Sequence, residues 1–368
     1  MRTVLAALAL AASGVHPVAA APRPQTLYQS PAHQEIAAFA QDGSLVSWLA
    51  PSSKTCNVVH VRALSNGGEI RLPDEKSSNV TCQWQIVQPV HLALDEQADN
   101  VLWTLREPAP APLPFDYVLG AGFSDPRERR YAELAHGRNG VGQWLGGVAG
   151  DGTTLVYAVS TVGYVDQVGC LSGGSCRRKL VGGGVYRITG QPGPPPLVPG
   201  TWATIDVAAA DDRIASVQAY GVARDGRPIA SASLPVEVRD AETGKVLARV
   251  VPHGAPEAVA LAPNVLATLE RSSLGLRIAW YDAATGRPLG SIPVPKQTSP
   301  ELSASDQLIV FHVGRSIRTV EVESHSAHTL ATAGASPIGL SVEGSRVAWA
   351  ENVKGRGRIR AIFVGGRG

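Results

Sequence analysis

Two similar stretches in the C-terminal half decide the fold: VEVRDAETGKVL at 236–247 and RIAWYDAATGRPL at 277–289. Each contains a β-forming run, an Asp-x-x-Thr-Gly turn and a second run. The aspartate of such a turn accepts hydrogen bonds from the turn backbone, and the glycine tolerates a positive φ that other residues disfavour. Both stretches therefore predict a pair of antiparallel strands joined by a tight turn.

A second hairpin pattern recurs along the whole chain, on both sides of these stretches. It consists of an apolar run, a turn rich in Gly, Asp or Asn, and another apolar run that often ends in an aromatic residue. Seven copies are present, at 35–48, 91–103, 147–157, 205–217, 258–267, 301–311 and 338–349. Because a four-stranded propeller blade needs about 40–50 residues, this pattern predicts an all-β fold, a seven-bladed β-propeller of four-stranded antiparallel blades. Trp48, Trp103 and Trp349 fall in second strands, so we expect them in the core.

The two Asp-x-x-Thr-Gly turns resemble those of the large propeller superfamilies, including the TolB-type and quinoprotein-type repeat proteins. The resemblance covers two blades well and the others only as a pattern. It implies an architecture and no particular activity.

The N-terminal segment 24–30 has the right length to supply a strand that the last blade lacks. We expect this strand to close the last blade and so to remove the open edges of the ring. The alternative is two all-β domains divided near 190–200, where the run QPGPPP resembles a linker.

The first 21 residues have the features of a secretory signal peptide. Arg2 provides a positive charge, 4–12 is an unbroken apolar run, and small residues at 18–20 form a cleavage site. We expect a signal peptide at 1–21, a propeller at 22–368, and a secreted protein that is extracellular or periplasmic. No later apolar run is close to about 18 residues in length, which a membrane-spanning helix needs, so no membrane span is predicted.

Four cysteines fit an exported protein. Cys170 and Cys176 enclose a flexible five-residue loop, and Cys56 with Cys82 forms the natural second pair. Other connectivities remain open. A zinc site is the competing interpretation, but the sequence has no Cys-x-x-Cys spacing.

Charge and motifs exclude several classes of function. Lys and Arg number 33 against 31 Asp and Glu, which does not indicate a nucleic-acid partner. The sequence has no nucleophile elbow, P-loop, zinc-protease or EF-hand motif. We therefore expect no cofactor and no metal, and the sequence identifies no catalytic residue.

The candidate binding face comes from the loops of blades one to four, which are the longest. Three tryptophans precede the inner strands of blades two to four, and a basic run lies in blade three: Trp84, Trp144 and Trp202, then Arg177, Arg178 and Lys179. Exposed aromatic side chains bind sugars or protein surfaces, although packing between blades and a solvated loop are the alternatives. Arg127, Arg129 and Arg130 extend the basic set from a predicted short helix at 125–134.

Two functions from different classes follow. The first is a non-catalytic propeller that binds a protein or glycan of the cell envelope through blades one to four. The alternative is a secreted hydrolase or lyase acting on a polysaccharide or peptide at the channel mouth. Four acids near the ends of inner strands would serve that chemistry, or would instead stabilise turns: Asp95, Asp151, Asp206 and Glu301.

Overall fold

The computed structural model describes residues 23–51, 57–64, 76–79, 91–96, 100–108, 115–122, 129–137, 141–165, 176–189 and 194–364. All regular secondary structure in these ranges is β-strand, numbered β1 to β29 along the chain. The described part is therefore all-β, as the sequence predicts. Within it, no helix is long and apolar enough to cross a bilayer. The signal peptide predicted at 1–21 lies outside these ranges.

In four of the five described four-stranded antiparallel sheets, the spatial order of the strands follows the chain. We call them units 1, 4, 5 and 6, after their position in the chain. Unit 1 contains β2 (Ala38–Asp42), β3 (Leu45–Pro51), β4 (Asn57–Ala63) and β5 (Lys76–Asn79). Unit 4 contains β13 (Thr204–Ala210), β14 (Arg213–Gln218), β17 (Val236–Asp240) and β18 (Val246–Val250). Unit 5 contains β19 (Ala255–Leu261), β20 (Val265–Ser272), β21 (Gly275–Asp282) and β22 (Pro288–Val294). Unit 6 contains β23 (Thr298–Ala304), β24 (Leu308–Val313), β25 (Ser316–Glu321) and β26 (Ala327–Thr332).

A seven-stranded sheet lies between units 1 and 4 in the chain. A single residue pair, His136 with Gly142, joins β9 to β10, so the sheet consists of two parts. Unit 2 contains β6 (Leu92–Asp95), β7 (Asn100–Pro108), β8 (Phe115–Gly122) and β9 (Arg129–Gly137). Unit 3 contains β10 (Gly142–Asp151), β11 (Thr154–Tyr164) and β12 (Arg178–Arg187).

The prediction of a short helix at 125–134 is wrong over 129–134. This segment forms most of β9, which pairs along its length with β8. The local pattern of charged and apolar residues suits a surface helix, but pairing with the neighbouring strand decides the conformation.

Unit 7 combines the two ends of the described chain. It contains β27 (Ile338–Glu343), β28 (Arg346–Val353) and β29 (Arg356–Phe363), and β1 (Gln25–Gln29) pairs antiparallel with β29 at the outer edge. A two-stranded hairpin, β15 (Gly221–Val222) with β16 (Pro228–Ile229), lies between the second and third strands of unit 4.

The Asp-x-x-Thr-Gly turns have the predicted conformation. The Asp240 carboxylate accepts hydrogen bonds from the Thr243 backbone N–H at 2.6 Å and from its hydroxyl at 2.7 Å. Gly244 has a φ of +70°, and Asp282, Thr285 and Gly286 repeat the arrangement. These turns join the third and fourth strands of units 4 and 5.

The hydrophobic core consists of separate clusters that lie between successive units. The first strands contact one another in the order β2, β6, β10, β13, β19, β23 and β27, and β27 in turn contacts β2. Each pair of neighbouring units encloses a cluster of buried hydrophobic side chains. Trp48 and Trp349 are buried in two of these clusters, as predicted; the side chain of Trp103 lies outside the described set.

Candidate functional site

The first strands of the units surround one cavity of about 1580 Å³. Each first strand ends in a turn to the second strand, so these turns lie together at one end of the cavity. The second strands end, and the third strands begin, at the opposite end. Trp144 and Trp202 belong to this second end.

Trp202 lies just before β13 and is 42% exposed. Trp144 is partly buried in β10 and is paired with Ser160 of β11. The Ser160 hydroxyl donates a hydrogen bond to the Thr204 carbonyl at 3.0 Å. The structure therefore brings Trp144 and Trp202 to the same junction of units 3 and 4. Trp84 lies outside the described residues.

Tyr220 lies beside Trp202 and is 64% exposed. The Ala219 N–H donates to the Ala203 carbonyl at 2.6 Å, which places the two aromatic residues on adjacent segments, and the Tyr220 N–H donates to the Ile229 carbonyl at 2.8 Å. Sequence reasoning missed Tyr220, although it directly precedes the elaborated loop of blade four. We call Trp202, Tyr220 and Ile229 the aromatic face.

The backbone next to Trp202 is strained. Ala203 has a φ of 39°, a region that residues with a Cβ rarely occupy. Its side chain is fully buried, whereas Trp202 before it projects to the surface. Strain of this kind persists only where surrounding contacts impose it, so the exposed position of Trp202 is held by the fold.

The predicted basic residues begin β12, next to the aromatic face. Arg177 and Lys179 are exposed, and the Arg178 guanidinium donates to the Arg224 carbonyl at 2.6 Å. This bond ties β12 to the hairpin β15–β16. Arg127 lies outside the described residues, and the side chains of Arg129 and Arg130 are not among those described.

The predicted disulfides stay predictions. Cys176 lies just before β12 and is disulfide-bonded. Cys56, Cys82 and Cys170 lie outside the described residues, so the structure does not test the pairing.

At the end of the cavity formed by the turns, three carboxylates meet. Asp42 of unit 1, Asp151 of unit 3 and Glu343 of unit 7 each place an oxygen within 4.8 Å of the others. Burial raises the pKa of Asp151 to about 8, and the nearby charge of Asp42 adds to the shift. Burial and the Asp42 charge also raise the pKa of Glu343.

These acids are bound to backbone N–H groups of other units. The Asp42 carboxylate accepts hydrogen bonds from Glu96 and Gly152, each at 2.8 Å. Asp151 accepts one from Asp211 at 2.6 Å. Each bond crosses from one unit to another, so the carboxylates tie the units together.

The other predicted acids line or adjoin the same cavity. The Asp206 carboxylate accepts a hydrogen bond from the Val259 N–H at 2.9 Å, and burial raises the pKa of Asp206 to about 7. Glu301 accepts one from Leu340 at 3.3 Å and lies 3.5 Å from the His312 imidazole. Asp95 is buried. Among the described residues, Asp95, Asp206 and Glu301 do not join the group formed by Asp42, Asp151 and Glu343.

Comparison with known proteins gives no family. No protein-family model and no curated protein matches the sequence. Similar solved structures include a chain of a mitotic checkpoint complex, with 12% identity, 99% of both chains covered and a TM-score of 0.48. They also include BamB from Moraxella catarrhalis, with 12% identity, 92% of this chain and 99% of that chain covered, and a TM-score of 0.41. The computationally designed Ika8 protein has 13% identity, a coverage of 89% of this chain and 84% of its own, and a TM-score of 0.46. These similarities are too low to assign a function.

Proposed function

We propose that this chain is a secreted seven-bladed β-propeller that binds a protein of the cell envelope through the aromatic face. Its seven units are the blades, β1 closes the last blade, and the residues from 22 onward form one ring. The single observation that carries the binding role is the exposure of Trp202 and Tyr220 side by side at the junction of units 3 and 4.

The contacts between units support the ring. One buried cluster joins unit 7 to unit 1, because Phe39 and Trp48 pack with Ala348 and Ile359. Another joins units 3 and 4, on either side of the Pro-rich run that could divide two domains. A ring in which every blade packs on two neighbours accounts for both clusters.

The distribution of exposed apolar side chains supports the location of the site. Among the described residues, six of the ten large hydrophobic side chains that are exposed lie between 165 and 229: Val165, Val181, Leu197, Trp202, Tyr220 and Ile229. Contiguous apolar surface on a soluble protein is typical of an interaction site. Trp, Tyr and Arg together are the residues enriched where proteins bind proteins.

A protein partner is favoured over a glycan by the aliphatic part of this surface. Sugar rings stack on flat aromatic side chains, but the exposed side chains of units 3 and 4 also include the branched aliphatic Val181, Leu197 and Ile229. Such a mixture suits the apolar centre of a protein interface.

The channel acids support binding over hydrolysis. The carboxylates of Asp42, Asp151 and Asp206 accept hydrogen bonds from backbone groups of other units. These bonds join neighbouring blades, which gives acids at these positions a structural role without a reaction.

The test is retention of envelope protein by the immobilised mature chain, residues 22–368. We expect Tyr220→Ala and Trp202→Ala each to reduce retention of one protein at least about tenfold, since aromatic anchors contribute on the order of 2 kcal/mol each. Leu274→Ala is the matched control, because Leu274 is 99% exposed outside the aromatic face. Equal loss with Leu274→Ala would contradict the proposal. A defined glycan bound on an array, and lost in Trp202→Ala, would replace the protein partner with a sugar.

A further inference from the structure

Within the described residues, unit 3 differs from the other units because it has three strands. Its last strand, β12, is at the edge of its sheet. The chain after β12 covers only the C-terminal part of that edge: the Arg187 N–H donates to the Pro196 carbonyl at 3.0 Å, and the Val198 N–H donates to the Val185 carbonyl at 2.8 Å. From Arg178 to Gly184, no described strand is hydrogen-bonded to the outer edge of β12, and β15 of the neighbouring hairpin contacts β12 without pairing with it.

The open part of β12 is continuous with the aromatic face. The Val185 N–H donates to the Thr201 hydroxyl at 3.0 Å, directly before Trp202. Val181 is 49% exposed and is the extra residue of a β-bulge, because Thr161 and Val162 of β11 oppose Gly182 and Leu180. Arg178 contacts the hairpin that carries Ile229.

The charge along this edge is of one sign. The segment 176–189 (CRRKLVGGGVYRIT) contains cationic residues and no acid. Asp225 is the one acid in the adjoining hairpin, 221–229, and lies 4.0 Å from Arg227. Arg177, Lys179 and Arg224 therefore leave a net positive potential beside the open edge.

We propose that the open edge of β12 binds an extended, acidic segment of the partner protein as a fourth strand of unit 3. This inference rests on the proposed function and names the partner's chemistry and conformation. The backbone groups of 178–184 would form the new ladder, as in other proteins that bind peptides by strand addition. Acidic side chains of the segment would pair with Arg177, Lys179 and Arg224, and apolar ones would contact Val181 and Trp202.

Two features of β12 make such binding selective. A lysine and a bulge on an edge strand both disfavour pairing with an arbitrary strand. Lys179 repels a basic segment and attracts an acidic one, and the bulge at Val181 restricts the register in which a segment fits. The edge therefore discriminates among extended peptides by charge.

The probe for this inference is a fluorescent peptide of about six residues, one strand in length, alternating glutamate and valine. Two companions are the same peptide with lysine for glutamate, and the acidic peptide with proline at alternate positions. We expect the full chain to bind the acidic peptide at least about tenfold more tightly than either companion, because proline cannot donate to a ladder and lysine is repelled. Hydrogen exchange should show new protection of backbone amides within 178–184.

Lys179→Glu tests the charge, with Lys245→Glu as its matched control, since both lysines are exposed and Lys245 follows a turn at the opposite end of its blade. The first variant should weaken binding of the acidic peptide about tenfold and the second should leave it unchanged. Equal binding of the proline peptide, protection outside β12, or no binding of the acidic peptide would each overturn the inference. Retention of the partner would still depend on Tyr220 in that event, so failure of strand addition is distinguishable from failure of the binding face.

Discussion

The carboxylates of Asp42, Asp151 and Glu343 meet although they are far apart in the sequence. Each ends the first strand of its own unit, and the contacts between first strands bring the three strand ends to the same end of the cavity. Because water cannot fully solvate them there, burial raises the pKa of Asp151 to about 8 and also raises that of Glu343. At neutral pH Asp151 therefore retains a proton that it would release in the unfolded chain.

The raised pKa of Asp151 predicts a pH-dependent stability. An acid whose folded pKa is raised contributes stability that is fully present below about pH 4, its unfolded value, and is lost as the pH rises through about 8. Asp151→Asn imitates the protonated acid and can still accept the Asp211 hydrogen bond. We expect the variant to gain stability relative to the wild type between about pH 5 and about pH 9 in urea titrations. A constant difference across that range would show that Asp151 does not hold a proton in the folded state.

Residues of the site differ in how readily they can be identified from the sequence. Trp202, Arg177 and Arg178 could be selected because a tryptophan before an inner strand and a basic run in a loop are local signals. Tyr220 could not, since its exposure depends on the neighbouring segment at Ala203. The meeting of Asp42, Asp151 and Glu343 also depends on how units 1, 3 and 7 pack, which no local pattern encodes.

At the scale of elements, the inner strands approach closely where they contain glycine. Gly339 of β27 has a φ of +61°, and a Cβ at this position would lie 2.2 Å from the Phe39 carbonyl oxygen of β2. The residue therefore satisfies two requirements, a left-handed backbone and direct contact between units 7 and 1.

Gly339→Ala should destabilise the fold by more than the backbone conformation alone requires. Gly344 is the matched control, because its φ is +54° and a Cβ there would meet nothing within 4 Å. We expect Gly344→Ala to cost about 1 kcal/mol of unfolding free energy, and Gly339→Ala at least about 1–2 kcal/mol more, because it also separates two strands. Equal losses in chemical denaturation would contradict contact between blades seven and one.

Most elements could be anticipated from turns and alternation. The Asp-x-x-Thr-Gly turns predict the hairpins of units 4 and 5 because the aspartate and glycine act locally. The segment 129–134 could not be assigned correctly, since pairing with β8 outweighs its helical pattern. The sequence predicts four-stranded blades, whereas β12 is the last described strand of unit 3. The chain after β12 resembles a linker and pairs with β12 only at Pro196–Val198.

At the scale of the whole molecule, β1 joins the beginning of the chain to its end. The Arg360 guanidinium donates to the Pro24 carbonyl at 2.9 Å, and the Ser30 N–H donates to the Gly357 carbonyl at 2.9 Å. The Tyr28 ring lies 4.6 Å from that of Trp48. The strand therefore contacts both unit 7 and unit 1.

Removal of residues up to Ser30 should open the last blade. We expect the shortened chain to melt several degrees lower, since a loss of about 1 kcal/mol lowers the Tm of a large domain by about 2–4 °C, and to associate through the exposed edge of β29. Tyr28→Ala in the full-length mature chain should give a smaller decrease and no association, because the strand ladder remains. An unchanged melting temperature after removal would contradict closure by β1.

The measurement that tests the binding role most directly is site-specific photo-cross-linking in the cells that produce the protein. A photoreactive phenylalanine is placed at Tyr220, and in a separate chain at Glu242, which is exposed in a turn at the opposite end of unit 4. We expect one protease-sensitive adduct from position 220 that disappears with Trp202→Ala, and no such adduct from position 242. The same adducts from both positions, or none from position 220, would contradict a binding site at the aromatic face.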